Sequence, residues 1–343
     1  MGVTLTPLIN GKTTTIKELS GKTFVVDGFN TLYQFLTTIR GPDGAPLTDK
    51  DGNITSHLVG LFSRTTKLMQ EGLKLVFVFD GAAPELKRAE RERRAQKKQE
   101  AQHSYDEAKA AEDLDGMRKY AGRTARITPE IINEAKTLLT ALGIPIVQAP
   151  AEGEAQAAHM VRRGDAWAII SQDYDCLLFG AQRMVKNLSI TQRKRQQGTL
   201  ASVQALPEVI TLKEALTELR LNQEQLVLLG LLIGTDFNVG GIKGLGPKKG
   251  LALVREHSSP EALFSAAGWD EHFPFPWQEA YSAFTQMPVT DDYTLTWRGV
   301  DAAAVTALLV DQHDFSADRV SSVLERLEKQ GFDRAQKGLG EYF

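Results

Sequence analysis

Three stretches of this 343-residue chain run through β-rich apolar residues and then reach an aspartate. They are Thr23-Phe-Val-Val-Asp27, Leu75-Val-Phe-Val-Phe-Asp80 and Ala166-Trp-Ala-Ile-Ile-Ser-Gln-Asp173. Apolar runs without polar alternation suit strands buried on both faces of a parallel sheet. Ile144-Pro-Ile-Val147 is a fourth strand candidate. Helical patterns lie between the strands, at 57–70 and at 128–142, the second with Thr128 as N-cap and Pro129 at N1. Strands alternating with helices predict an α/β fold with a mostly parallel central sheet flanked by helices. Ligands in such folds sit beyond the carboxyl ends of the strands, where these three aspartates stand. One aspartate after a strand is commonly the N-cap of the next helix. Three at equivalent places point to a shared site.

More acids join them. Pro150-Ala-Glu152-Gly-Glu154 follows the fourth strand and opens a helix, where acids in the first turn also favour the helix dipole. Asp173-Tyr-Asp175 supplies a pair, and Ile233-Gly-Thr-Asp236 places one after an apolar helix. Seven carboxylates converging on one sheet edge cannot all stay ionised without cations. Hard oxygen donors without His or Cys select Mg²⁺ or Mn²⁺ over zinc. The single cysteine excludes a zinc ribbon and a disulfide framework. Two divalent ions about 4 Å apart activate a water and stabilise the leaving oxygen of a phosphodiester. Asp-x-Asp also occurs in glycosyltransferases and phosphatases, but nothing after Asp27 or Asp80 resembles a phosphatase nucleophile motif.

The net charge of −3, taken as a total, argues against a polyanion partner. Its distribution argues the reverse. Residues 256–343 hold 15 acids and 6 bases, which leaves +6 on residues 1–255, and +13 there once the seven site acids are set aside. Lys87, Arg91, Arg94 and Lys98 share one helical face, and seven helical residues span about 10.5 Å. Such a stripe meets successive phosphates of a nucleic-acid strand. The bland alternative, a solvated helix with pairs such as Glu90 and Arg94, has too few acids to neutralise the stripe. Residues 83–126 read as a highly charged insertion, poor in core material and ordered by substrate. Gly244-Leu-Gly246 lacks the preceding strand of a dinucleotide fingerprint. A helix–hairpin–helix over 224–258 fits better: its glycines let the backbone approach phosphates, and Lys248 and Lys249 meet the duplex irrespective of base sequence.

No secretory signal is present, and the longest apolar run, near Leu226–Ile233, is too short to span a bilayer. Met1-Gly2 with Thr6 matches the permissive myristoylation pattern without a second anchoring signal. The expectation is an intracellular protein with no membrane partner.

In this order, these elements resemble the structure-specific 5′ nucleases of the XPG superfamily, and most closely the archaeal flap-endonuclease branch. The resemblance covers nearly the whole chain. It is carried by Met1-Gly2, Val25-Val-Asp27, Thr55-Ser-His-Leu58, Val78-Phe-Asp80-Gly81, Glu152-Gly-Glu154-Ala, Gln172-Asp173-Tyr-Asp175-Cys, Gly234-Thr-Asp236 and Gly244-Leu-Gly246-Pro-Lys248-Lys249. It implies a nuclease domain over 1–335 with a helical arch at 83–126. It implies one metal group of Asp27, Asp80, Glu152 and Glu154, and a second of Asp173, Asp175 and Asp236, holding two Mg²⁺ ions or Mn²⁺ in their place. Lys87 and Arg94 match the basic pair that stabilises charge at the scissile phosphate, with Asp80 and Glu154 the acids nearest the chemistry. Tyr33 matches the aromatic that stacks on the terminal base. Gly2, Arg40, Arg64, Arg91, Lys98, Gly244, Gly246, Lys248 and Lys249 are implied DNA contacts. The family's helix–hairpin–helix often holds K⁺ through backbone oxygens. The last eight residues resemble a sliding-clamp peptide through Gln336, Leu339, Tyr342 and Phe343, a short segment that folds on its partner and plugs apolar side chains into a pocket. The implied protein is a monomer acting on branched DNA with a 5′ flap, together with a PCNA-type clamp, in the cytoplasm at the nucleoid.

Overall fold

The computed structural model describes residues 2–188, 193–195, 202–204 and 206–340, with the backbone alone at 89, 193–195, 202–204 and 330–340. The strands among them are β1 (Lys12–Thr13), β2 (Thr23–Asp27), β3 (Lys74–Phe79), β4 (Ile146–Gln148), β5 (Ala168–Ile170), β6 (Arg183–Lys186), β7 (Arg193–Arg195), β8 (Ser202–Gln204) and β9 (Glu208–Thr211). Seven of these form one sheet in the order β1-β9-β6-β5-β2-β3-β4, and β7 pairs with β8. Pairs β2–β5 and β5–β6 are parallel, whereas β6–β9 and β9–β1 are antiparallel. The expected mostly parallel sheet is present, with an antiparallel edge that the apolar runs did not announce.

The chain divides into two compact units, residues 1–27, 78–93 and 148–292 in the first, and 28–77, 94–147 and 293–343 in the second. In the first, Phe24, Val25 and Val26 of β2 and Ile169 and Ile170 of β5 are buried. Each such side chain contributes about 1.5–3 kcal/mol when fully buried. Val26 lies opposite Ile170, and Ile170 opposite Val185, so the carboxyl ends of β2, β5 and β6 are level. The run expected as a strand from Ala166 to Asp173 keeps only Ala168–Ile170 in the sheet. Beyond it the Asp173 N–H donates to Ser171 Oγ at 3.0 Å, a local turn that takes the place of the sheet ladder. Helix Gln223–Ile233 opens with an Asn222–Gln225 capping box and is buried from Leu226 to Leu232.

In the second unit Thr128 caps helix Pro129–Ala141 through its side chain, with Pro129 in the first turn, as read from the sequence. Helix Ser56–Gln70 places the Thr-Ser-His-Leu motif inside the unit. His57 Nε2 stands 2.9 Å from Glu134, and His313 lies between Glu134 (3.4 Å) and Asp49 (2.9 Å). The segment at 83–126 contains a turn at Glu85–Lys87, the long helix Arg88–Ala110, helix Leu114–Ala121 and a turn at Gly122–Thr124. Its buried apolar residues are small or few, Ala101, Ala108, Met117, Ala121 and Ala125, in keeping with its composition. Helix Ala317–Gly340 takes in the backbone of Gln336 and Leu339, while Tyr342 and Phe343 lie outside the described residues. No helix among the described residues is long and apolar enough to cross a membrane.

Candidate active site

All seven predicted carboxylates belong to the first unit. Asp27 ends β2, and Asp80 follows β3 directly. Glu152 stands at the N-cap of helix Gly153–Arg163, with Glu154 in its first turn. Asp175 begins the short helix Asp175–Leu178, and Asp236 follows helix Gln223–Ile233. Two backbone amides hold acids in place. Gly153 N–H donates to Asp80 Oδ1 at 2.6 Å, and Val3 N–H donates to Asp175 Oδ1 at 2.6 Å. Gln148 Nε2 donates to the carbonyls of Phe79 (3.1 Å) and Asp80 (2.7 Å), fastening the strand end that carries Asp80.

Lys87 is a cation set among these acids. Its Nζ lies 2.5 Å from Glu152 Oε2, 3.8 Å from Asp236 Oδ2 and 5.1 Å from the Phe237 ring centre. Burial alone would lower the Lys87 pKa, but Glu152, Asp236 and Glu154 raise it above the ordinary lysine value. The pair is not symmetrical. Glu152 is also raised, because burial together with Asp80 and Asp236 outweighs the contact with Lys87. Burial raises Asp80 against the pull of the Gly153 N–H and Lys87. Glu154 is pushed well up by burial, then by Asp175 and Asp27. Burial pushes Asp175 up to about 7, opposed by the Val3 N–H and reinforced by Asp236 and Asp173. One ammonium does not balance this much buried negative charge.

The donor set is made of carboxylate oxygens, which suits a hard divalent cation such as Mg²⁺. As the side chains stand, no group of three or more acidic, His or Cys residues among the described residues is drawn together to ligate one ion. Gly2 packs directly on this cluster: a Cβ there would stand 2.7 Å from the Asp175 carboxylate. Gly2 thus supports a site carboxylate, a role its reading as a DNA contact did not include.

The first unit also carries the glycine hairpin. Gly246 is the N-cap of helix Pro247–Glu256, Pro247 is its first residue, and Lys248 and Lys249 project from its first turn into solvent. Gly244 has φ +87° with nothing within 4 Å of a built Cβ, an open turn with its backbone accessible. Arg91, in the first turn of helix Arg88–Ala110, is exposed.

The second unit holds the remaining predicted residues. Tyr33 is 37% exposed on helix Gly28–Thr38, with Lys98 Nζ 5.1 Å from its ring centre. Lys98 has its pKa lowered by burial and then by repulsion from Arg126 and Arg94. Three cations crowded together in this way fit a phosphate. Arg126 escaped sequence reading although it closes an acid-free basic stretch with Arg118, Lys119 and Arg123, a charge pattern that points to it. Tyr105 escaped it too; burial lowers the Arg40 pKa, and nearby Tyr105 and Tyr33 oppose that shift. Arg40 itself donates to the carbonyls of Leu36 (2.9 Å) and Gly44 (2.9 Å), closing the 40–46 turn. Arg64 is half-buried, and burial lowers its pKa.

The XPG N-terminal domain family matches residues 1–101, and the XPG I-region family matches residues 143–236. The chain is 50% identical over 327 residues to flap endonuclease 1 of Hyperthermus butylicus, covering 94% of this chain and 93% of that one. It is 46% identical over 343 residues to flap endonuclease 1 of Pyrococcus furiosus, covering 100% and 99%. Among solved structures it is similar to flap endonuclease-1 from Methanococcus jannaschii, with a TM-score of 0.75 and 38% identity over 95% of this chain and 98% of that one. Likeness of this extent in sequence and fold makes the chain a member of the flap endonuclease family, XPG-type nucleases of DNA replication and repair.

Proposed function

We propose that this enzyme cuts 5′ flaps from branched DNA, and trims 5′ ends exonucleolytically, by hydrolysis that uses two Mg²⁺ ions, with Mn²⁺ able to replace them. The observation that carries this reading is the set of buried carboxylates gathered around Lys87 in one unit. Asp27, Asp80, Glu152 and Glu154 would hold one ion, and Asp173, Asp175 and Asp236 the other. When bound, the ions supply positive charge to the attacking and leaving oxygens and lower the pKa of a water.

The chain's own groups do the remaining work. The Gly153 and Val3 amides keep Asp80 and Asp175 oriented. Lys87, with Arg94 in the same role, offsets the negative charge that develops at the phosphate. The junction nucleotide unpairs to reach the buried acids, as a flipped base does, and the cut leaves a 5′-phosphate on the duplex. Tyr33 offers an exposed face for the terminal base, and Arg40, Arg64, Arg91, Lys98 and Arg126 attract the backbone. The Gly244–Gly246 turn, Lys248 and Lys249 hold the duplex without reading bases. The nuclease domain spans 1–335 and acts as a monomer at the nucleoid.

Purified chain incubated with flap, nicked, four-way and single-stranded DNA should cut at the base of 5′ flaps in Mg²⁺ and not in EDTA. Equal cutting in EDTA would remove the metal from this reading. The peptide at 336–343 is assigned to a PCNA-type sliding clamp through Gln336, Leu339, Tyr342 and Phe343. Its deletion should leave flap cleavage unchanged and abolish clamp stimulation. Normal clamp binding by the truncated chain in calorimetry would sink that assignment.

A further inference from the structure

The loop that presents Asp236 is built around one side chain, Asn238. Helix Gln223–Ile233 ends in carbonyls that have no partner within the helix. Gly230 O accepts from Gly234 N–H at 2.8 Å, Leu231 O accepts from Asn238 Nδ2 at 2.6 Å, and Leu232 O accepts from Ile242 N–H at 2.9 Å. Asn238 Oδ1 accepts from Thr235 twice, from N–H at 3.2 Å and from Oγ1 at 2.7 Å. The same Thr235 oxygen accepts from Phe237 N–H at 3.1 Å. Asp236 therefore sits between two residues, Thr235 and Phe237, that are tied into one hydrogen-bond network with Asn238. Asn238 is 1% exposed and Thr235 is 4% exposed, so water does not take over these bonds when one partner is lost.

The same point starts the glycine hairpin. Asn238 O accepts from Gly241 N–H at 3.2 Å. A Cβ on Gly234 would lie 2.5 Å from Gly241 N, and one on Gly241 would lie 2.3 Å from the Ile233 carbonyl. The helix end and the hairpin are thus pressed backbone to backbone, and the Asn238 amide joins them alongside the Ile242 N–H on Leu232 O.

We infer that Asn238, acting through Thr235, is a positioning residue that sets where Asp236 stands relative to the other carboxylates. The inference rests on the reading of Asp236 as a metal ligand. Partners that orient a ligand commonly alter metal affinity without touching the ion.

The test is the Mg²⁺ concentration at the midpoint, read both by calorimetric titration of the full chain without DNA and by single-turnover cleavage of a 5′ flap. Asn238→Ala and Thr235→Val should each raise it about tenfold, with cleavage partly recovered at saturating Mg²⁺. Thr235→Ser keeps the hydroxyl and should restore the wild-type midpoint. Thr235→Val preserves side-chain shape and serves as the deciding variant where Asn238→Ala melts too early to assay. An unchanged midpoint in folded Thr235→Val, as judged by circular dichroism, overturns the inference. Asp236→Asn, assayed alongside, separates the two readings. If it cleaves like wild type, the metal assignment falls. If it is inactive while both network variants titrate normally, only the positioning role falls.

Discussion

Asp175→Asn is expected to slow single-turnover cleavage of a 5′ flap in Mg²⁺ by about a thousandfold or more, while flap binding is largely kept. The substitution is nearly isosteric. Its amide oxygen still accepts the Val3 N–H, which reaches Asp175 Oδ1 at 2.6 Å, so the N-terminal segment stays anchored. What is lost is a negative charge in the carboxylate cluster. Burial, reinforced by Asp236 and Asp173, already makes that charge costly, so the variant should melt no lower than wild type in EDTA. A slow, stable, DNA-binding enzyme is the expected result. Asp80→Asn should behave likewise, because its oxygen still meets the Gly153 N–H. Full cleavage by either variant in Mg²⁺ would remove the metal assignment.

Lys87→Ala is expected to slow the same step by about 10²–10³-fold, the usual loss when one group stabilising transition-state charge is removed. The Nζ at 2.5 Å from Glu152 and 3.8 Å from Asp236 is held in a fixed position by acids on two other elements. Deleting it also leaves buried carboxylates uncompensated, a loss of about 3–5 kcal/mol when a buried pair is broken. Rate and stability must therefore be read together. Lys87→Arg keeps the charge with a different fork geometry and separates the two effects: a stable but slow Arg variant assigns Lys87 to the chemistry. Wild-type rate in a folded Lys87→Ala enzyme would leave Lys87 a structural partner of Glu152.

Much of the scaffold was legible because it is written in local chemistry. The apolar runs ending at Asp27 and Asp80 are strands β2 and β3, since Val, Ile and Phe bury both sheet faces. Thr128 and Pro129 start a helix where their side-chain chemistry says they should. The antiparallel edge of β9 and β1 was not legible: strands of two to four residues carry too little pattern, and their pairing depends on distant neighbours. Arg40 shows the same limit at the level of one residue. The resemblance implies that it contacts DNA, and the bonds its guanidinium makes to Leu36 O and Gly44 O, which close a turn, come only with the fold. Arg126, the last base of the stretch Arg118, Lys119, Arg123 and Arg126, is brought by folding beside Lys98 and Arg94, which its place in the chain does not announce.

By itself the sequence determined the class of fold, the seven acids and the segregation of charge that an overall −3 conceals. These follow from residue type and short spacing, which covalent connectivity sets. Only the tertiary structure decided which groups meet: Lys87 with Glu152 and Asp236, Val3 with Asp175, Gly153 with Asp80, and Asn238 with Thr235 and Leu231. Most of these contacts join residues far apart in the chain. Their energies depend on burial and on distances of a few ångström, and neither exists until the strands and helices pack.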